Sequence, residues 1–375
     1  MGYASLQHIV KETHRRIEMM DLPYEEEFRC QLKHLGFKDR EIVKETFLRQ
    51  EWNLGSARVL RLLQEANILT ATEFILSLDS VDLTQQVMND LLEAEYELLA
   101  NVIQFAHQDN QHSQILSNIL KESFGALITE LMENPNVIPR NYLVHLKAHL
   151  KLEKITMVKQ EHLQLILTGQ HGVEYGEAIG QQDQWRNEME MLSETIFGGL
   201  IVELVADKDN FISLLKQFID SSSAISMRYT LYLLNVVSKR IGTDRRESIM
   251  VRDFMKFLFR MVVDTGLLSK MQLLLLFARE ICATNEAILG TYSEWYKQTI
   301  GEMTYRVKKD QFIRMIEMLT GMLSFESNLD ILSVHSTIAI SAPAKCNDFV
   351  VNYKQLCRAH MSQLKPPDVT ETLDE

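Results

Sequence analysis

Six prolines and fifteen glycines are all the punctuation that 375 residues receive, and that scarcity limits what the chain can fold into. Proline removes a backbone donor and glycine loosens the backbone, so both interrupt regular elements. The intervals between them are filled by Leu, Met, Glu, Gln and Lys, which lose little side-chain freedom in a helix. Apolar residues recur at steps of three and four, and each run closes at a short polar break. The chain therefore reads as all-α, about seventeen helices with little or no sheet.

The breaks set the order of elements. Asp21, Leu22 and Pro23 separate a first amphipathic helix from a second; Asp39 suits the cap of a third, and the Thr70 to Glu73 run opens a short helix. Residues 82–108 and 111–133 read as a longer pair, ended by Pro135 and Pro139. Two helices over 140–152 and 157–168 follow, then others over 184–206, 208–220, 222–241, 248–264, 266–283, 285–300, 310–324 and 347–363. Successive starts lie roughly 15 to 25 residues apart, so a two-helix unit falls in the range of HEAT and armadillo repeats, without a repeated signature. The fold class is a helical-repeat solenoid of that kind or an irregular multi-helix array. Residues 333–345, rich in small and β-branched side chains with Pro343, read as a loop holding at most one short extended segment.

The stretch LTGQHGVEYGEAIGQQDQW, residues 167–185, concentrates four glycines in a glycine-poor chain. It lacks both the GxxxxGK spacing of a phosphate loop and the strand-borne GxGxxG of a dinucleotide site. Gly169 suits a helix C-cap, so the stretch reads as a loop over 169–183 joining an N-terminal block, 1–168, to a C-terminal block, 184–363. Trp185 and Arg186, just past it, pair an aromatic with a cation and are candidates for contacting a partner from that loop. Residues 364–375, with two prolines and four acids, read as a disordered tail.

Charge is distributed unevenly. Residues 62–120 hold nine acids and no Lys or Arg; residues 239–314 hold fourteen cations against nine acids, net +5, in a chain of net charge −12. The acidic segment offers Asp90, Glu93 and Glu97 as a candidate surface for a basic partner. The basic segment offers Lys239, Arg240, Arg245, Arg246 and Arg252 for an acidic partner. Its KRIGTDRRES loop has no aromatic neighbours for base stacking, and a pI near 5.5 is low for a dedicated nucleic-acid protein.

Candidate chemistry is thin. His145 and His149 share a helix face at four-residue spacing, but Lys147 stands where HExxH places other residues and no glutamate accompanies them. Cys357 and His360 are one turn apart with only Cys346 nearby, and His107 and His112 flank a polar break. Four cysteines without a CxxC pair indicate neither a disulfide framework nor a zinc ribbon, and no GxSxG occurs. Glu93, Glu95 and Glu97 fall on different helix faces rather than forming an acid and base pair. The N-terminus lacks an apolar run of signal-peptide length, its Met-Gly start lacks the Ser or Thr of a myristoylation pattern, and MQLLLLF at 271–277 is too short to span a bilayer.

These observations predict a non-enzymatic scaffold or adaptor, cytoplasmic or nuclear, that binds other proteins in a hetero-complex through helical surfaces, with no cofactor and no metal. Two alternatives stand beside it. One is a nucleic-acid or ribonucleoprotein factor using residues 239–314, and the other is a regulatory protein or enzyme whose site is assembled from distant residues.

Overall fold

The computed structural model describes residues 3–19, 22–108, 112–136, 142–169, 174–242 and 245–364, and among them every regular element is a helix. The chain divides into two compact units, one formed by residues 1–165 with 195–203, the other by 166–194 with 204–375.

The first unit contains α1 (Tyr3–Glu18), α2 (Leu22–Lys33), α3 (Phe37–Leu48), α4 (Ser56–Glu65), α5 (Ala71–Leu76), α6 (Val81–Glu93), α7 (Tyr96–Ala106), α8 (Ser113–Glu133), α9 (Tyr142–Leu146), most of α10 (Leu152–Thr168) and nearly all of α12 (Ile196–Leu204). Its packing runs between near neighbours in the chain. Helix α1 meets α2, α3 and α4; α4 meets α5 and α6; α7 meets α5, α6, α8 and α9. That is the short-range contact pattern of a helical array. The starts are set by local chemistry: Thr70 and Glu73 form a reciprocal capping box on α5, and the Ser80 hydroxyl accepts from Leu83 at the head of α6.

The second unit contains α11 (Tyr175–Leu192), α13 (Lys208–Asp220), α14 (Met227–Lys239), α15 (Arg245–Thr265), α16 (Leu268–Thr284), α17 (Glu286–Leu289), α18 (Tyr292–Tyr296), α19 (Lys309–Gly321), α20 (Leu329–Thr337) and α21 (Asn347–Leu364). A π-helical turn at Lys297–Gly301 and two 3₁₀ turns, Met303–Tyr305 and Leu323–Phe325, complete it. Here packing is not serial. Every residue of α16 from Lys270 to Cys282 is buried, and the helix packs against α11, α14, α15, α17, α18 and α19. A helix enclosed by six others cannot be one layer of a linear stack, so this unit is an irregular bundle built around α16. The MQLLLLF run is the middle of that enclosed helix.

Several expected boundaries move. The loop over 169–183 shrinks because α11 begins at Tyr175; residues 170–173 lie outside the described residues. Gly176 has a packing reason. A Cβ on Gly176 would sit 2.6 Å from the Phe325 ring, so this helix turn lies flush against the Leu323–Phe325 turn. The single helix expected over 184–206 is two helices broken after Leu192. Residues 329–337 form α20 rather than a loop, because the Asn328 side chain accepts from Asp330 and Ile331 and starts the helix. The helix number among the described residues rises above the seventeen expected because 82–108, 184–206 and 285–300 are each divided into two helices and α20 is added. Of the tail, residues 365–375 lie outside the described residues.

Near the end of the second unit, α20 and α21 enclose a hydrogen-bonded aromatic cluster. The His335 ring nitrogens bond the hydroxyls of Tyr292 at 2.9 Å and Tyr353 at 3.0 Å, and Tyr353 meets Tyr296 at 3.2 Å. Burial, aided by the nearby Arg279 charge, pushes the His335 pKa from 6.5 down to about 3. Between those values the unfolded chain binds a proton that the folded chain refuses, so stability is lost as pH falls through that window. For this one residue the limiting slope is about 1.4 kcal/mol per pH unit. Urea titrations at pH 7 and pH 5 are expected to show a steeper loss of stability in the wild type than in His335→Gln; parallel losses would contradict a neutral, buried His335.

Candidate functional site

The three acidic residues expected to form a surface do not act together. The Asp90 carboxylate accepts the Trp52 indole N–H at 2.6 Å, which ties α6 to the segment before α4. Glu93 is exposed at the end of α6, and Glu97 is half-buried in the first turn of α7. Three acids of the segment without cations, Glu65, Glu73 and Glu95, are paired by cations from outside it. Arg61 donates to Glu25 at 2.7 Å, Glu65 at 2.9 Å and Glu95 at 3.1 Å. Arg29 pairs with Glu65 at 2.8 Å and Glu25 at 3.2 Å, and also with Glu26. Lys44 pairs with Glu73 at 3.2 Å. Burial raises the Glu95 pKa, and Arg61 opposes that shift. Glu95, on the segment leading into α7, is the acid that matters structurally, and the sequence reading assigned it to solvent. Asp109 lies outside the described residues.

The basic residues separate into two groups. Lys239, Arg240, Arg245 and Arg246 are exposed at the end of α14 and the start of α15, with Thr243 and Asp244 between them outside the described residues. Arg252 lies two turns along α15 and is committed to the fold. It donates to the carbonyls of Ile288 at 2.5 Å and Ala287 at 3.2 Å, capping the C-terminal end of α17.

Trp185 and Arg186 are not loop residues. Trp185 is 6% exposed on the buried face of α11 with Ile179, Gln182 and Met189. Arg186 pairs with Asp183 at 2.9 Å and with Glu280 at 3.1 Å. Glu280, fully buried on α16, also accepts from Gln182 at 3.1 Å, Asn235 at 2.6 Å and Thr284 at 3.3 Å. One residue earlier, Arg279 pairs with Glu326 at 2.9 Å. Burial raises the Glu326 pKa, with Arg279 opposing it. A charged ladder inside an apolar run gives no periodic signal, which is why it was not anticipated.

The histidine and cysteine pairs serve packing. His145 stacks on Tyr96 with centroids 4.7 Å apart, while His360 Nε2 donates to the Glu326 carbonyl at 2.8 Å. Cys346 and Cys357 are buried, and burial raises the Cys357 thiol to about 11. His107 lies 3.9 Å from Glu161. Among the described residues no three His, Cys, Asp or Glu side chains gather closely enough to hold a metal ion. No described helix is long and apolar enough to cross a membrane.

A large concavity lies wholly in the second unit, a groove of about 1010 Å³ between α15 and the α17, α18 and π-turn segment. Its apolar floor includes Met255, Phe259, Ile288 and Trp295, all buried. Its cations are Arg252, Lys256, Arg260 and Arg306, and its acids are Asp264 and Glu294. On α15 the cations stand at 252, 256 and 260, a four-residue repeat that places them along one helix face. The Glu294 carboxylate is occupied by the capping box of α18, where Thr291 donates at 2.8 Å and 3.0 Å. Lys256 pairs with exposed Asp253 at 2.9 Å, a contact worth little in water. The Arg260 and Arg306 side chains form no hydrogen bond or ion pair with a described residue, and Arg260 acts on Asp253 only through its field. The sequence reading counted Lys256, Arg260 and Arg306 in the basic block but did not bring them together; the four-residue repeat was the available signal.

A family model described as the Fanconi anaemia group A protein N terminus matches residues 7–366. No curated protein and no solved structure matches the chain.

Two substitutions measure the internal ion clusters. Arg61→Ala leaves the largely buried carboxylates of Glu25 and Glu95 short of a partner and is expected to cost about 2 kcal/mol in a urea titration. Glu280→Ala strands four donors around a fully buried position and is expected to cost about 3–5 kcal/mol, with Glu280→Gln milder. A melting temperature unchanged in Glu280→Ala would show that the cluster carries no stability.

Proposed function

The chain belongs to the family of the Fanconi anaemia group A protein N terminus, and from that premise we propose that it is a non-enzymatic subunit that binds other proteins within a larger assembly. Family membership supports a component of a multi-protein complex, and the groove of the second unit supplies a surface suited to one. The observation that carries this reading is the character of that groove. Buried Phe259 and Trp295 form part of its floor, and Arg260 and Arg306 stand unpaired beside them, the aromatic and arginine composition enriched at protein interfaces. Its acids are not arranged for proton transfer, since Glu294 is held by Thr291. A nuclear location is the one of the two expected that fits a subunit of a DNA-repair assembly.

A test of this reading isolates the chain from its native cells at moderate salt, treats it with nuclease, and measures the mass of what remains by size-exclusion chromatography with light scattering. The expected outcome is a nuclease-resistant particle heavier than the 43.5 kDa chain with protein subunits in fixed ratio. Release of the bare chain by nuclease would favour the nucleic-acid alternative instead.

A further inference from the structure

We infer that the groove between α15 and the α17, α18 and π-turn segment is a docking site for an acidic peptide segment carrying aromatic or large aliphatic anchors. The inference deepens the protein-binding reading above and rests on it.

Three features of the groove determine its occupant. The first is charge. Arg260 and Arg306 have no partner among the described residues, and Lys256 has only a solvent-screened one. Cations that face a concavity without partners favour a ligand bearing carboxylates, and their long-range field speeds its encounter. The second is the floor. Val263 and Leu289, half-buried, present apolar surface above the buried Met255, Phe259, Ile288 and Trp295 in a space of about 1010 Å³, large enough for several side chains. A ligand that only neutralised the cations would leave that surface wet, so the occupant brings apolar side chains between its acids. The third is the presence of Asp264 and Glu294 in the lining. A phosphate backbone, charged at every unit, would meet both carboxylates, whereas a peptide can place an apolar or amide-bearing residue opposite them. Arg252 contributes shape rather than recognition, because its guanidinium is spent on the carbonyls of Ala287 and Ile288.

The direct test is fluorescence anisotropy of the full chain with a fluorescein-labelled dodecapeptide of acidic pairs alternating with Leu and Trp. The control peptide replaces each acid by its amide. Saturable binding of the acidic peptide, with at least about tenfold weaker binding of the amide control, is expected. The doubly reversed chain Arg260→Glu with Arg306→Glu is expected to lose at least about tenfold in affinity. Both positions are exposed and unpaired, so the fold is retained, which a matching circular dichroism melt confirms. Lys239→Glu with Arg240→Glu changes charge equally outside the groove and is expected to leave affinity within about twofold. Equal losses in both double variants would reduce the effect to net charge and overturn the inference. So would tighter binding of a single-stranded oligonucleotide competitor than of the peptide, or a reversal of Arg260 and Arg306 whose main effect is to abolish self-association. If the peptide fails to bind while the nuclease-resistant assembly persists, the groove inference falls and the protein-binding reading stands.

Discussion

The second unit depends on solvating one carboxylate without water. Glu280 has no exposed surface, and an isolated charge in such a place is costly unless donors surround it. The donors come from three helices. Gln182 and Arg186 reach it from α11, Asn235 from α14, and Thr284 from the next turn of α16 itself. Hydrophobic burial would hold α16 in the centre of the bundle in any of several rotations, because its apolar residues cover most of its circumference. The Glu280 carboxylate is satisfied in one of them. That polar requirement, with the pairing of Arg279 to Glu326 and of Lys270 to the Ile219 carbonyl, selects the rotation of α16 against α11 and α14. Gly176 then brings the first turn of α11 flush against Phe325, and Asp183 on the same helix accepts from Asn328 at 2.7 Å.

The electrical asymmetry of the sequence has different meanings in the two units. In the first, part of the apparent acidic excess, three of its nine acids, is an artefact of where a window is drawn. Arg61 stands one residue before the cation-free segment, and Arg29 and Lys44 reach into it from α2 and α3, so Glu65, Glu73 and Glu95 are consumed internally. In the second, the excess survives folding. Lys270 is withdrawn to the Ile219 carbonyl, Arg279 to Glu326 and Arg252 to α17, yet Lys256, Arg260 and Arg306 remain beside an apolar floor. Linear charge counting does not distinguish these cases, because pairing is decided by helix contacts 29 or more residues apart.

The helical class was legible because it depends on period and composition, which are local. The capping chemistry at Thr70 and Glu73 was legible for the same reason. The start of α11 was not, since its glycines signal a break when read alone and a close approach only when Phe325 is placed opposite. Trp185, expected in a helix just past that stretch, lies on the buried face of α11. Of the groove, the sequence reading found Arg252, the one cation there that the fold has already used. It counts Arg260 and Arg306 in the basic block without joining them, because both line the groove only when α15 is laid beside the segment that follows α18.

The groove exists because a helix is prevented from continuing. Gly290 has φ 82°, and a Cβ there would lie 2.7 Å from the Glu294 carboxylate oxygen, so α17 ends after one turn and the chain restarts as α18. An unbroken helix along α15 would fill the space with interlocking side chains. The break instead leaves bare carbonyls at the end of α17, and Arg252 satisfies them from α15. One end of the α15 cation stripe is thereby spent on holding the wall, while Lys256 and Arg260 continue past the region where the wall can reach them. Folding and recognition are thus assigned to different turns of one helix. A substitution at 252 is felt first by the wall of the groove, and one at 260 first by whatever occupies it.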